Sequence, residues 1–286
     1  MIYAFLAYFL WGFFPIYWKF LSHVPTAEIL AHRVLWSFVF YTVVLFIQKR
    51  KLILFKPKNK KSMLLLACAS CVLMLNWMIY IWAVNSNQII ESSLGYFINP
   101  LVNILFGVFL LNENLNRDQI FSFFLASLGV LVIAWDQGRI PWIALILAVS
   151  FSVYGLLKRK TQATGVESNQ FEAVIFIPVA LAFLFFQPHI WVTPENQTSS
   201  IFLLVGAGIV TGLPLIFFAE AAKRIPYYLM GFFQFIAPTL QFASAVLIFN
   251  EPLSQNKLVG FSFIWIAILY LAGSSFYKAR RRKINA

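Results

Sequence analysis

Apolar runs of about 20 residues recur along this whole chain, separated by short breaks rich in Pro, Gly or charged residues. A helical run of that length crosses a hydrocarbon core about 30 Å thick. Of the 286 residues, 61% are hydrophobic and only 11% are charged, which is more apolar surface than a water-soluble fold can bury. The sequence therefore predicts an all-α integral membrane protein that has the lipid bilayer as its solvent.

The apolar runs predict ten transmembrane helices. The first run is expected to be a helix and not a cleavable signal peptide, because no basic segment precedes it and it is long enough to span the bilayer. The predicted helices lie near residues 2–21, 27–47, 62–84, 89–111, 118–135, 140–157, 171–188, 199–221, 227–249 and 256–277.

The cationic residues are grouped between the apolar runs. Seven Lys and Arg residues lie from Lys49 to Lys61, three from Lys158 to Lys160, two at Lys223 and Arg224, and five from Lys278 to Lys283. With ten helices, all four groups fall on one side of the membrane, as the positive-inside rule requires. This pattern predicts an inner-membrane protein with both termini in the cytoplasm. The net charge of +12 is then explained by topology, and no nucleic-acid partner is expected.

Two stretches of the chain resemble each other at an offset of 138 residues. Pro100–Phe123 and Pro238–Phe261 are identical at six of 24 positions, among them Asn112/Asn250 and Glu113/Glu251. The chain is therefore interpreted as two five-helix repeats, residues 1–138 and 139–286. Because five is an odd number, the second repeat enters the membrane inverted. Inverted repeats are typical of transporters, which bind substrate near the bilayer midplane between the repeats.

Several sequence motifs are similar to those of the RarD-type permeases of the EamA, or drug/metabolite transporter, superfamily. The resemblance covers nearly the whole chain and is weakest through the seventh helix. It implies a ten-helix fold and an export or uptake role, often labelled by chloramphenicol sensitivity, without naming a substrate. The motifs are Trp11-Gly12-Phe13-Phe14-Pro15, Glu28-Ile29-Leu30-Ala31-His32-Arg33, Asn76-Trp77, Ile81-Trp82-Ala83-Val84-Asn85, Glu91–Leu101, Gln234–Phe242 and Phe249–Leu253.

Polar residues inside the predicted spans indicate where a cavity lies, because an unpaired polar group in lipid costs several kcal/mol. Helical spacing puts Tyr96, Asn99 and Asn103 on one face of the fourth helix. Aromatic rings mixed with amides favour a planar or aromatic organic solute. A second interpretation is that the amides only join neighbouring helices. The candidate substrate-binding residues are Trp11, Asn76, Tyr80, Tyr96, Asn99, Asn103, Gln234 and Gln241.

Ionisable residues inside the spans, in the half predicted to be external, include His32, Arg33 and Glu91, with Lys19 and Glu28 nearer the span ends. An Arg at a helix centre costs about 2.5–3.5 kcal/mol on insertion scales, so Arg33 needs a partner. Glu91 is the carboxylate expected at a similar depth. The sequence therefore predicts an Arg33–Glu91 ion pair, which either fixes two helices or forms a gate or proton-coupling site.

The function predicted from these features is secondary transport of a small organic solute by alternating access. No metal or cofactor is expected, because Walker and H-E-x-x-H sequences are absent. One alternative is a membrane receptor or scaffold that transports nothing. Another is an intramembrane serine hydrolase, since Gly260-Phe261-Ser262 is similar to the G-x-S around a nucleophilic serine. The chain is not expected to be an enzyme, because nothing places a histidine base beside Ser262. A homodimer is left open.

Overall fold

The computed structural model describes residues 1–49, 60–85, 89–135, 140–186, 197–250 and 255–284. Within these ranges all regular secondary structure is helical. The helices are α1 (Ile2–Gly12), α2 (Phe14–Lys19), α3 (Thr26–Ile47), α4 (Lys60–Asn85), α5 (Ile89–Leu111), α6 (Arg117–Trp135), α7 (Trp142–Lys160), α8 (Gly165–Phe186), α9 (Gln197–Arg224), α10 (Tyr227–Gln234), α11 (Ile236–Leu247) and α12 (Gln255–Ile284).

The described residues contain eight helical segments long and apolar enough to cross a membrane, which confirms the prediction of an all-α membrane protein. Two of the ten predicted spans do not meet those limits as continuous helices. The first predicted span is divided between α1 and α2. In the last one, the apolar part of α12 is Leu258–Ser274, and a cationic tail follows it.

Two helix breaks lie just before prolines. The regular α-helix is interrupted at Phe13, two residues before Pro15, and again at Phe235, three residues before Pro238, although both residues keep right-handed backbone angles. Proline has no backbone N–H, so the carbonyl four residues earlier loses its helical partner and the helix is weakened there. By contrast, α5 continues through Pro100 without a break.

The described helices group into two compact units. Unit 1 comprises residues 1–82 and 153–225, and unit 2 comprises residues 83–152 and 226–286. Each unit draws on both parts of the chain, so the units describe packing, whereas the repeats 1–138 and 139–286 describe similarity along the sequence. The division into repeats stays a prediction.

In unit 1, α3 packs against α8 and α9. The Ser37 hydroxyl donates to the Gly208 carbonyl at 3.2 Å, and the Tyr41 hydroxyl donates to the Gly212 carbonyl at 3.4 Å. The contact is so close that a Cβ on Gly208 would overlap the Trp36 backbone. Small residues of this kind let membrane helices approach and gain van der Waals contact where lipid offers no hydrophobic driving force.

In unit 2, α10 packs against α5, and α12 packs against α6. A Cβ on Gly231 would overlap the Pro100 carbonyl oxygen, so α10 and α5 touch backbone to backbone. Buried residues of α5, α6, α7 and α12 form one apolar core around Phe235. The break at Phe235 therefore lies in the centre of this core.

Two helix ends in unit 2 have the same unusual backbone conformation. Asn112 and Asn250, which follow α5 and α11, have φ angles of 52° and 53°. The Glu113 N–H then donates to the Gly107 carbonyl at 2.9 Å, a bond that closes the end of α5. Asn tolerates this left-handed conformation better than most residues with a side chain.

Candidate functional site

A chain of hydrogen-bonded amides lies inside unit 2. Asn99 Nδ2 donates to the Ala148 carbonyl at 2.6 Å and to Ser152 Oγ at 3.0 Å. Gln234 Nε2 donates to Asn99 Oδ1, and Asn103 Nδ2 donates to Gln234 Oε1 at 2.5 Å. The three amide residues are buried, with exposed fractions of 3%, 0% and 6% for Asn99, Asn103 and Gln234. The structure thus brings Gln234 of α10 together with Asn99 and Asn103, which the sequence placed on one face of another helix.

The amide chain is held by the start of α10. Glu113 Oε1 accepts the Tyr227 N–H at 2.7 Å, and Glu113 Oε2 accepts the Tyr228 N–H at 2.9 Å. A carboxylate at a helix N-terminus satisfies orphan donors and is favoured by the helix dipole. The Tyr227 hydroxyl then donates to the Ser152 carbonyl at 2.6 Å. These contacts fix the register of α10 and so the position of Gln234.

The remaining candidates in unit 2 are less enclosed. Tyr96 is 47% exposed, and Gln241 on α11 is half-buried. The side chain of Glu91 lies outside the described residues, so the predicted Arg33–Glu91 pair stays a prediction.

In unit 1, Arg33 of α3 lies among two indole rings and a hydroxyl. Its guanidinium carbon is 5.1 Å from the ring centroid of Trp18 on α2 and 5.4 Å from that of Trp77 on α4. Its Nε donates to Thr211 Oγ1 of α9 at 3.0 Å. Cation–π contact stabilises a partly desolvated guanidinium by about 0.5–2 kcal/mol. The sequence predicted a carboxylate partner, whereas these described contacts are aromatic and neutral.

Three other unit 1 candidates lie close in sequence to Arg33 or to its ring partner Trp77. Trp36 Nε1 donates to His32 Nδ1 at 3.3 Å, one turn along α3. Asn76 is buried beside Trp77 on α4, and Tyr80 is half-buried one turn further.

Trp11 belongs to an aromatic cluster inside unit 1. Its ring centroid lies 5.6 Å from those of Tyr8 and Phe218. Phe218 of α9 in turn stacks on Tyr154 of α7 at 5.9 Å with an interplanar angle of 5°. The structure thus joins Trp11 of α1 and Tyr154 of α7 through Phe218.

A buried ion pair in unit 1 was not predicted from the sequence. Lys158 was interpreted only as a determinant of topology, but it is fully buried, and its Nζ lies 2.5 Å from Glu172 Oε1. The predicted start of the seventh span was also late, because α8 begins at Gly165 and not near residue 171. The available signal was a polar run from Glu167 to Gln170 beside that span.

Comparison with known proteins identifies the family and the fold of this chain. A model of the EamA-like transporter family matches residues 1–135. The uncharacterized transporter YojE of Bacillus subtilis is 42% identical over 94% of this chain and 92% of its own length. Protein RarD of Escherichia coli is 40% identical over 97% of this chain and 95% of its own length. A solved crystal structure that is 18% identical shares the fold, with a TM-score of 0.75 over 94% of this chain and 95% of its own.

The chain therefore belongs to the EamA-like transporter family, among its RarD-type members. The resemblance found in the motifs is confirmed, and so is the prediction of a multi-pass membrane protein that is not an enzyme.

Proposed function

We propose that this chain is a secondary transporter that moves a small organic solute across the bacterial inner membrane by alternating access. The observation that carries the proposal is the Arg33 setting: a cation on an apolar span, covered by the rings of Trp18 and Trp77. Ionisable residues within membrane spans typically mark a solute or ion pathway. The relatives named as transporters support the same function.

The proposed architecture has ten spans in two inverted five-helix repeats, 1–138 and 139–286. Asn112 and Asn250, which correspond at the offset of 138 residues, share a left-handed backbone, and this supports a common ancestry of the two repeats. In this proposal α1 and α2 together form the first span, α10 and α11 form the ninth, and both termini are cytoplasmic. A phosphatase fusion after Ala286 should be inactive, and an active fusion in the periplasm would contradict the orientation.

The proposed solute is planar or aromatic, because indole rings and amides are the groups available to bind it. Trp11, Asn76 and Tyr80 belong to the binding set in unit 1. Tyr96, Asn99, Asn103, Gln234 and Gln241 belong to it in unit 2.

The transport proposal is tested with purified protein in liposomes and a panel of radiolabelled aromatic solutes that includes chloramphenicol. At least one compound should accumulate or exit faster than in empty liposomes. Arg33→Lys keeps the charge and loses the planar guanidinium, so it should reduce flux while Thr211→Val, which removes one hydroxyl, has a smaller effect. Binding without flux across the whole panel would favour the receptor or scaffold alternative.

His32, Arg33 and Glu91 are proposed as a gate or coupling group. Arg33→Gln and Glu91→Gln should each lower folded yield or activity, and the double variant should recover folded yield if the two residues pair. A gate then gives a double variant that folds and transports poorly. A structural pair gives one that transports normally, and simple addition of the two losses would exclude pairing.

A further inference from the structure

The Lys158 ammonium in unit 1 is buried, and polar atoms of the protein take the place of water around it. Its Nζ donates to Asn169 Oδ1 at 2.5 Å and to Ser168 Oγ at 3.0 Å, and it forms an ion pair with Glu172 Oε1 at 2.5 Å. All three acceptors come from the first two turns of α8. Only one of them carries a charge, so two neutral acceptors hold the ammonium independently of the carboxylate.

Glu172 is held differently from the other carboxylates nearby. Its Oε2 accepts the Tyr154 hydroxyl at 3.1 Å, and its Oε1 faces Lys158. Glu167 and Glu220 instead accept backbone N–H groups at the start of α8, from Thr164 at 2.8 Å and Gly165 at 2.6 Å. Those two carboxylates are therefore helix caps, whereas the described contacts of Glu172 come from side chains alone.

The surroundings have hydrogen-bonding capacity that the ion pair does not use. Asn169 Nδ2 and both polar atoms of the Gln170 amide are buried without a hydrogen-bond partner among the described residues. Both residues are at least nine-tenths buried, with exposed fractions of 2% and 0%. A buried amide left unpaired costs about 1–3 kcal/mol, so such groups commonly serve an occupant such as water or a mobile proton.

Other ionisable groups near the pair make hydrogen bonds of their own. From α3, Tyr41 lies within electrostatic range of Glu172 and donates its hydroxyl to Gly212. From α9, Lys223 lies within electrostatic range of Lys158 and donates its Nζ to the Ala163 carbonyl. From α7 itself, Arg159 donates to the carbonyls of Ala222 and Ile225. Glu172 is thus the carboxylate paired with the buried Lys158, whereas Glu220 pairs with the exposed Arg224.

We propose that Glu172 is a proton-exchange site. A proton from water adds to a Glu172 carboxylate oxygen and later returns to water, and no other bond is made or broken. The pair changes from net neutral to a single positive charge, and Lys158 remains solvated by Ser168 and Asn169 in both states. One consequence of this proposal, that flux responds to a pH gradient, rests on the proposed transport function.

The first test needs no solute. Infrared difference spectra of the purified full chain, recorded between mildly acidic and mildly alkaline buffers, should contain a protonated carboxylic acid band that disappears in Glu172→Gln. Asp118→Asn makes the same chemical change at a half-buried carboxylate of unit 2 and should leave that band in place. If Glu172→Gln removes no pH-dependent band, the proposal is wrong.

Lys158→Met tests whether the titration of Glu172 depends on its cationic partner. Without its cation, a carboxylate in this low-dielectric site should stay protonated at every pH tested, so its band should be present and constant. A band that still titrates as in the wild type would overturn the proposal. If Glu172→Gln does not fold, Tyr154→Phe replaces it: loss of the hydroxyl donor must move the pH at which the wild-type band appears, and an unmoved band counts against Glu172.

Flux gives the second test. With a solute found in the transport screen, Glu172→Gln should lose the acceleration caused by a pH gradient and keep exchange without one. A variant that still responds to the gradient like the wild type would exclude proton coupling at this site. If the wild type moves no solute at all, the transport proposal fails, while the infrared band still decides the proton site.

Discussion

The two units bury polar side chains of different chemistry. Unit 1 encloses a charged pair, Lys158 and Glu172, whereas unit 2 encloses neutral amides, Asn99, Asn103 and Gln234. Neutral amides that bond to each other cost little to keep in a membrane and contribute modestly to helix association. A buried ion pair is seldom better than apolar residues of the same size, so stability alone gives a weak reason to retain one. The charged cluster therefore needs a functional explanation more than the amide chain does.

The largest effect should come from breaking the charged pair. Lys158→Met or Glu172→Leu should each lower the free energy of unfolding by about 3–5 kcal/mol, because the remaining group must either stay charged without its partner or be neutralised. The double variant should recover most of that loss. Thermal unfolding in detergent measures all three.

An exposed pair in the same unit serves as control. Arg224 and Glu220 form an i,i+4 pair whose arginine side chain is 57% exposed. Arg224→Gln should therefore shift unfolding only slightly, since solvent screens such a pair. Equal losses for Arg224→Gln and Lys158→Met would show that burial does not distinguish the two pairs.

The next effect should be common to both units, because both use a glycine where helices touch. Gly208→Ala in unit 1 and Gly231→Ala in unit 2 each add a Cβ that overlaps backbone atoms of the facing helix. The expected cost is about 1–3 kcal/mol, as in other overpacked sites. Gly273→Ala is the matched control, because no atom lies within 4 Å of its added Cβ. Folded yield by size-exclusion chromatography should fall for the first two only, and a loss in Gly273→Ala would point to a general sensitivity of glycine positions.

The existence of the helices was predictable from the sequence because spans of the required length need long apolar runs. The observed α3, α5 and α6 begin and end within one residue of their predicted bounds. The start of α8 was not predictable in the same way. Residues Glu167 to Gln170 are polar and resemble a loop, yet they are buried. Lys158 of α7 donates to Ser168 and Asn169, and the Thr164 N–H donates to Glu167.

Pairing across helices was the part that the sequence left open. Spacing along α5 placed Asn99 and Asn103 on one face with Tyr96, and the two asparagines are buried in the structure, whereas Tyr96 is 47% exposed. Their bonds to Gln234 depend on the register between α5 and α10, which is set by the Gly231 contact and the Glu113 cap. Such register is a property of two packed surfaces and has no signature in one stretch of sequence.

A smaller effect is expected at the cap of α10. Glu113→Ala removes the acceptor for the N–H groups of Tyr227 and Tyr228, which should cost about 1 kcal/mol, as at other helix N-termini. Glu113→Gln keeps one carbonyl acceptor and should lose less. Unfolding in detergent compares the two. Equal losses would mean that the charge, and not the hydrogen bond, stabilises the helix start.

The smallest effect on stability should come from the amide chain. Hydrogen bonds between membrane helices contribute about 0.6 kcal/mol each, with a maximum near 1.7. Asn99 donates two bonds and accepts one, whereas Asn103 donates one, so Asn99→Leu should destabilise unit 2 more than Asn103→Leu. Both variants should still insert and fold.

Transport then decides what the amides of unit 2 do. If Asn99 and Gln234 also orient solute, Asn99→Leu and Gln234→Leu should lower flux by much more than their small loss of stability explains, because a lining amide acts on binding and hardly on folding. Ser127→Ala is a suitable control, since the Ser127 hydroxyl bonds only within its own helix, to the Phe123 carbonyl at 2.8 Å. Unchanged flux in both amide variants would leave helix association as their role. The solute would then be bound by other groups, and the contrast between the two units would become one between a charged functional cluster and a neutral structural one.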